Sequence, residues 1–293
     1  MSDPVWLEPD LRLLRAPNPS PLTGEGTNTY ILGGDALCVI DPGPEDAEHL
    51  AAILGAVEDP RRLRAILVTH AHLDHAPLAR GLAQATGAPV MAFGDALAGR
   101  SARMQALAET ELIGGGEGID LGFRPDQILA DGTRIWIGSD SVRAIWTPGH
   151  FGNHLSFAWR GAVFSGDHVM GWSSTLVSPP DGDVSDYMRS LDRLAQESAR
   201  ILYPGHGAPV TDAEGRIEAL RSHRRQREAE ICDSLRDGPK TVGELVRVIY
   251  TDTPLPLHRA AARNVFAHLI DLGHRNLVSA TPKVHPDAVF SFL

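Results

Sequence analysis

The chain has 293 residues, room for one large domain or two ordinary ones, and its 43% hydrophobic content supports a real core. A formal net charge of -10, with 15 Lys/Arg against 28 Asp/Glu over residues 1–215, argues against strong non-specific nucleic-acid binding by the whole molecule. Apolar runs of ~18 residues are absent, which excludes a membrane-spanning helix, and the two cysteines, Cys38 and Cys232, exclude a disulfide framework and fit a reducing compartment.

In chain order, the N-terminal "MSDPVWLEPDLRLLRAP" has no basic region leading into an apolar run, so no signal peptide is expected and a cytoplasmic location is. "TYILGG" and "ALCVID" read as a hairpin turning at Gly33-Gly34-Asp35. "EDAEHLAAILGAV" shows apolar residues at helical spacing. "RAILVTH" is a continuous apolar run, the mark of a strand buried on both faces. "PLARGLAQATG" is a second helix that stops at Gly87. "APVMAF", "RIWIG", "VRAIWTPGH", "LSFAWRG", "AVFSGDH" and "RILYPGHG" are further strands, and "DVSDYMRSLDRLAQESA" is an amphipathic helix with Asp183 as its N-cap. "GGGEG", Gly114 to Gly118, lacks the Lys-Ser/Thr of a phosphate loop and reads as a flexible lid or surface turn.

After about residue 215 the texture changes. Residues 216–280 hold 11 Lys/Arg against 8 Asp/Glu. A long polar helix, a helix opened by the capping-box pair Thr241 and Glu244, and the helix "LHRAAARNVFAHLIDLGH" followed by a short ribbon form a winged-helix-like pattern. The expected domains are 1–215 and 216–293.

Chemistry concentrates at strand ends: Asp41, His70, His150, Asp167 and His206 each follow an apolar strand. Strand ends hold side chains rigidly while the following loops shape a pocket. "THAHLDH" adds His72, Asp74 and His75, with Asp74 and His75 expected at the start of the next helix. Imidazole nitrogens and carboxylate oxygens this close suit Zn²⁺, Mn²⁺ or Fe²⁺, and four polar groups in six residues behind a greasy strand otherwise cost desolvation without return. Asp41 has two readings, orienting a neighbouring donor or merely ending a strand. His154 reads as a residue that orients a neighbour and His168 as a loop residue. Arg221, Arg224, Arg225 and Arg227 read as a solvated helix face, with phosphate tracking the alternative. Trp172, with Ser173, Ser174 and Thr175, is a candidate for substrate contact. Phe266 and Leu269 belong to a helix expected to pack on the catalytic domain and wall the cleft.

"THAHLDH", "TPGH" (Thr147–His150), "FSGDH" (Phe164–His168), "YPGHG" (Tyr203–Gly207) and "VIDPG" (Val39–Gly43) together resemble the motifs of the metallo-β-lactamase superfamily over residues 20–210. "NPSPLTGEGTNTYILG", "GDHVMGW" and "LHRAAARNVFAHLIDL" resemble the lactamase-β-like protein 2 type, which joins this domain to a winged-helix-like one. The resemblance implies an α/β fold, a four-layer αβ/βα sandwich followed by a small helical domain. It implies two divalent metal ions, most simply Zn²⁺: one held by His70, His72 and His150, one by Asp74, His75 and His206, with Asp167 bridging. Asp74, Asp167 and His154 are the residues expected to act in catalysis. A hydroxide shared by two metals, its pKa pulled towards ~7, would attack a carbonyl or phosphorus; Ser165 lies outside any G-x-S-x-G elbow. Relatives of this type include an endoribonuclease acting on single-stranded RNA and hydrolases of acyl-carrier thioesters. The expected substrate is therefore a small acyl thioester or ester, with single-stranded RNA the alternative. Lactam hydrolysis ranks lower, because the best-known zinc lactamases carry a cysteine where this chain has Asp167, and a non-catalytic binding protein ranks lower still. Phe151, where relatives commonly have a small hydroxyl residue, alters the pocket lining.

Overall fold

The computed structural model describes residues 4–110, 113, 115 and 118–293. Strands β1 (Val5–Glu8), β2 (Leu11–Arg15), β3 (Asn28–Leu32) and β4 (Leu37–Ile40) form an antiparallel meander. Helix α1 (Ala47–Val57) then crosses to β5 (Leu63–Leu67), and helix α2 (Leu78–Thr86) to β6 (Val90–Ala92). After α3 (Ala102–Ala108), β7 (Gln127–Ile128) closes a sheet in simple order β1 to β7, with β4 to β7 parallel. Strands β8 (Arg134–Ile137), β9 (Asp140–Trp146), β10 (Leu155–Trp159) and β11 (Ala162–Gly166), with β12 (Ile201–Pro204) returning through α4 (Val184–Gln196), make a second sheet in the order β12-β11-β10-β9-β8.

The sheets stack because their strands carry apolar residues on both faces. In β4, Cys38 and Ile40 face the other sheet while Leu37 and Val39 face the helices α1 and α2. Ala65 and Leu67 of β5 likewise point between the sheets, and Ile66 outward. Across the gap, Phe157, Trp159 and Phe164 fill the space between sheets, while Val163 and Leu202 pack outward on α4. The result is four layers, helix on sheet on sheet on helix.

Local signals explain the helix boundaries. Asp183 caps α4 by accepting from Ser185 N, and Gly87 ends α2 with φ 76°. One boundary differs from expectation: α2 starts at Leu78, so Asp74 and His75 sit in the turn before it. That turn is held by the backbone hydrogen bonds His75 N to His72 O and Leu78 N to Gly43 O, which leave the two side chains free to face the sheet edge. Strand β1, helix α3 and the last strand β15 lack a clear pattern of their own in the sequence.

Helix α5 (Ala213–Arg236) is continuous for 24 residues. Its first turns, Ala213, Ile217 and Leu220, pack with α4, and its last, Ile231, Cys232 and Leu235, pack in a separate core. That second core is completed by β13 (Lys240–Thr241), α6 (Val242–Ile249), α7 (His258–His274) and the hairpin β14 (Val278–Thr281) and β15 (Val289–Phe292). Both halves of the Thr241–Glu244 capping box are made. Of the "GGGEG" stretch, Gly114, Gly116 and Glu117 lie outside the described residues, and with them the lid-or-turn reading. Among the described residues, no helix is long and apolar enough to cross a membrane.

Leu67 is fully buried between the sheets. Leu67→Ala should therefore lower unfolding free energy by about 2–5 kcal/mol, read as a lower denaturant midpoint with an unchanged slope.

Candidate metal centre

Strands β4 and β5 run parallel in one sheet, and β11 and β12 in the other, so their C-terminal ends meet at one edge of the sandwich. Residues there fall into two groups of metal-capable donors: His70, His72, His150 and Asp167, and Asp74, His75 and His206, with donor atoms inside each group within 4.8 Å of one another. In the first, His72 Nδ1 lies 2.9 Å from His70 Nε2 and 3.2 Å from His150 Nε2. In the second, His75 Nε2 and His206 Nε2 are 3.2 Å apart and Asp74 Oδ2 is 3.2 Å from His206 Nε2. The Asp167 carboxylate stands between the groups, Oδ1 3.4 Å from His75 Nε2 and Oδ2 3.4 Å from His206 Nε2 and 3.8 Å from His150 Nε2.

The outer nitrogen of each ring decides what its inner nitrogen is. Thr69 donates its hydroxyl to Asp41 Oδ2, so Thr69 Oγ1 accepts from His70 Nδ1 at 2.9 Å. His75 Nδ1 donates to Asp41 Oδ2 at 2.9 Å, His150 Nδ1 to Leu176 O at 2.6 Å, and His206 Nδ1 to Gly26 O at 3.3 Å. Each Nε2 is thereby aimed inward, offering a lone pair once its ring is neutral. Four donors ~2.0–2.1 Å from one cation stand ~3.3 Å apart in a tetrahedron, which is the spacing these nitrogens have. Buried Asp167 Oδ1 has no hydrogen-bond partner among the described residues. Converging lone pairs and an orphaned carboxylate oxygen fit divalent cations.

Asp41 thus resolves to the orienting role. It sits at φ 50° just past β4, accepts from Thr69 N at 2.7 Å, and steadies His70 through Thr69 and His75 directly. Asn28 and Tyr30 of β3 clamp the His206 turn by donating to Pro204 O, and Asn28 also to Gly207 O. Two motif glycines have steric reasons. A Cβ on Gly149 would stand 2.3 Å from Tyr187 Cα at φ 137°, and one on Gly205 would stand 2.4 Å from Asp167 Oδ1.

Burial keeps His70, His72 and His150 below the ordinary imidazole value, His72 at about 3, and for His70 and His72 the neighbouring rings push the same way. Burial also opposes charge on His75 and His206, but there the carboxylates win: Asp74 and Asp167 hold His75 well above its ordinary value, and Asp167 raises His206 to about 9. Asp74 and Asp167 stay ionised against burial because His75 and His206 face them. One group is neutral and ready; the other attracts positive charge.

Several residues lie elsewhere than expected. His154 is wholly buried behind the cluster, its ring centroid 5.2 Å from that of His70 and its Nδ1 2.9 Å from Thr147 Oγ1, so it lies outside both donor groups and is placed to support His70 and not to face open space. His168 lies in the turn after β11, as expected of a loop residue, and is buried against Tyr187, ring centroids 4.5 Å apart. Thr175 is buried and donates to Asp167 O, which makes it a support and not a contact for substrate. Trp172 is 47% exposed and packs on Gly207 beside His206. The arginines of α5 are not a solvated face: Arg221 pairs with Asp192 and Glu218, Arg227 with Glu230, and only Arg225 of the four is exposed. Arg224 is 2% exposed, donates to Thr175 O and to Asn264 Oδ1, and lies over Tyr187. Asn264 Oδ1 also accepts from Val177 N. Loop 175–177 therefore hangs from α5 and α7 while its Leu176 carbonyl holds His150. No sequence pattern marks Arg224 or Asn264 for this role.

A cavity of about 330 Å³ opens from His72 and His150. Its far wall is Pro256 and Leu257 of the short turn before α7 and Ala260 of the first turn of α7; of the stretch 263–272 expected to wall the cleft only Arg263 lines it, and Phe266 and Leu269 pack in the C-terminal core.

A sheet sandwich flanked by helices, with paired His/Asp groups at one edge, defines a metal-dependent hydrolase class. The chain belongs to the metallo-β-lactamase superfamily, whose pattern matches residues 22–206, and the β-lactamase-associated winged helix domain matches residues 241–284. It is 33% identical over 264 residues to the Beta-lactamase-like protein 2 homolog of Drosophila melanogaster, covering 87% of this chain and 85% of that one. It is 30% identical over 258 residues to the Atrochrysone carboxyl ACP thioesterase of Aspergillus fumigatus, covering 81% and 72% respectively. A crystal structure of a metallo-β-lactamase family protein from Thermus thermophilus superposes with a TM-score of 0.78 at 26% identity, over 98% of this chain and 100% of that one.

Zn²⁺ added to metal-free protein at pH 6, where water on the cations keeps its protons, should displace about two protons per chain, from His75 and His206; release near zero would show both rings already neutral. In the metal-free chain the raised His206 value, from 6.5 to about 9, stabilises the fold fully below pH 6.5, and that contribution is lost as pH rises through about 9. Arg224→Met should lower unfolding free energy by about 3–6 kcal/mol through two lost charged hydrogen bonds, and should weaken metal binding in a chelator competition because Leu176 O no longer holds His150 in place.

Proposed function

We propose that this hydrolase is dinuclear and cleaves thioesters or esters of a small acyl group. The observation that carries the reading is the position of Asp167, within 3.4–3.8 Å of imidazole nitrogens from both donor groups, while His72 and His150 of one group line a largely apolar cavity. His70, His72 and His150 would hold one cation, Asp74, His75 and His206 the other, and Asp167 both. Zn²⁺ is the first choice for this nitrogen-rich set, with Mn²⁺ or Fe²⁺ the alternatives. Bound cations supply Lewis acidity and lower the pKa of water towards ~7.

The chain's own residues do the rest. Asp41, Thr69, Gly26 O and Leu176 O keep the rings in the right tautomer. Asp74, ionised and with a side chain 28% exposed, is open to water and can accept a hydrogen bond from it. Phe151 and Leu176 keep bulk water from the carbonyl. In the reaction, a water oxygen bonds to the carbonyl carbon, the carbon–sulfur bond breaks, sulfur keeps the electron pair and is protonated on release, and a carboxylic acid remains. The name of the Aspergillus fumigatus relative, an acyl-carrier thioesterase, supports this choice of bond. The pairing of Arg221 and Arg227 with acidic residues gives single-stranded RNA less support as a substrate. We place the division between a catalytic unit, 1–215, and a winged-helix unit, 216–293, within the shared helix α5, and the protein, with both cysteines unpaired and buried, in the cytoplasm.

Elemental analysis after reconstitution should find about two metals per chain, and Asp167→Ala should weaken both sites and abolish turnover. One metal at saturation, or a fully active Asp167→Ala, would refute the dinuclear reading. Acetyl and longer acyl thioesters, single-stranded RNA and a chromogenic lactam, assayed side by side on metal-replete protein, test the substrate: thioester turnover should dominate, and RNA or lactam cleavage with silent thioesters would overturn the choice.

A further inference from the structure

The cavity is built asymmetrically with respect to the two donor groups. His72 and His150, from one group, form its inner wall, whereas Asp74, His75 and His206 do not line it. The opposite side of the centre, beside His206, is bordered instead by the exposed Trp172 lying on Gly207. A carbonyl at the donors therefore has two unlike exits, one enclosed and one open.

The enclosed exit is made mostly of carbon. Leu22 from the loop before β3, Phe151 and Leu176 from loops of the second sheet, Pro256 and Leu257 from the short turn before α7, and Ala260 from the first turn of α7 surround it. Polar groups also line it: Asp181 pairs with Arg100 at 2.5 Å, Arg263 donates to Ile113 O, Ser178 Oγ and Pro179 O, Ser20 Oγ is within 2.9 Å of Thr23 Oγ1, and Arg259 adds a cationic side chain. A volume of about 330 Å³ sits at the low end of ~300–1,000 Å³ small-molecule sites. That excludes a folded carrier protein or a run of nucleotides and admits one apolar group.

We infer that this cavity is the acyl subsite, that it takes an unbranched alkyl or small aryl chain, and that Leu257 and Ala260 of the winged-helix unit set the chain length it accepts. The inference rests on the thioester reading above. The acyl chain runs from the donors towards α7, and the thiol arm, with whatever carries it, departs past Trp172. On hydrolysis the fatty acid stays in the enclosed side and the thiol leaves by the open one, so the carrier never has to enter the fold. The winged helix then serves as a wall for substrate.

The test uses the full-length, metal-replete protein and N-acetylcysteamine thioesters from acetyl to dodecanoyl. Each methylene that enters an apolar wall should lower KM about three- to fourfold, until the chain meets Leu257 and the gain stops. Ala260→Trp should reduce the octanoyl-to-acetyl ratio of kcat/KM at least tenfold, and Leu257→Ala should move the optimum to longer chains. Octanamide, a neutral stand-in for the acyl part, should bind metal-free protein in calorimetry with a negative heat-capacity change and lose that signal in Ala260→Trp. Turnover of thioesters with a flat dependence on chain length, or an octanoyl-to-acetyl ratio untouched by either variant, would overturn the subsite while leaving the hydrolase reading in place. No thioester turnover at any length by the unaltered chain overturns both.

Discussion

Asp41 is the fixed point from which the candidate centre is organised. Because β4 and β5 are parallel neighbours, the residue after one strand lies beside the end of the other, and Thr69 gives Asp41 both its backbone N–H and its hydroxyl. The remaining reach of the carboxylate goes to His75. One buried carboxylate thus orients an imidazole in each donor group, His70 at one remove and His75 directly. Hydrogen bonds to a charged group are each worth about 1.5–3 kcal/mol, which is enough to lock a ring that would otherwise flip. The carbonyls of Leu176 and Gly26 do the same for His150 and His206 from the other sheet and the β3 loop. Chemistry at the edge therefore depends on strand register deep in the sandwich.

The two donor groups differ in charge although they share Asp167. His70, His72 and His150 gather imidazoles in a buried corner, where burial and mutual repulsion keep them neutral. Asp74 and Asp167 surround His75 and His206 with negative potential, which calls for a counter-charge, a proton or a cation. A pair of cations answers both conditions at once, as ligand to the neutral rings and as partner to the carboxylates.

The C-terminal unit takes part in this centre through α5 and α7. A 24-residue helix that enters two hydrophobic cores is a stiff connection, and Arg224 and Asn264 use it to hold loop 175–177 from behind. The same loop supports His150 and the backbone of Asp167. Stability of the winged helix and placement of the donors are coupled by these hydrogen bonds.

Much of this was legible in residues alone. Unbroken apolar runs such as "RAILV" announced strands buried on both sides, Gly87, Asp183 and the Thr241–Glu244 pair marked helix ends, and the crowded "THAHLDH" marked donors, because each of these signals is local: a period, a cap or a spacing acts within a few residues. Asp41 had two readings until the register of β4 against β5 put it beside Thr69. His154 read as a residue that orients a neighbour and acts in catalysis, and the entry of the chain into β10 buries it behind the cluster. Arg224 looked like a surface charge among others, and only the meeting of α5, α7 and loop 175–177, distant from one another in sequence, makes it a buried clamp. The sequence by itself determined which elements form and which side chains can bind metal. Tertiary structure decided which of those side chains face one another, which stand behind, and what lines the space between, because those depend on contacts between segments that share no local pattern.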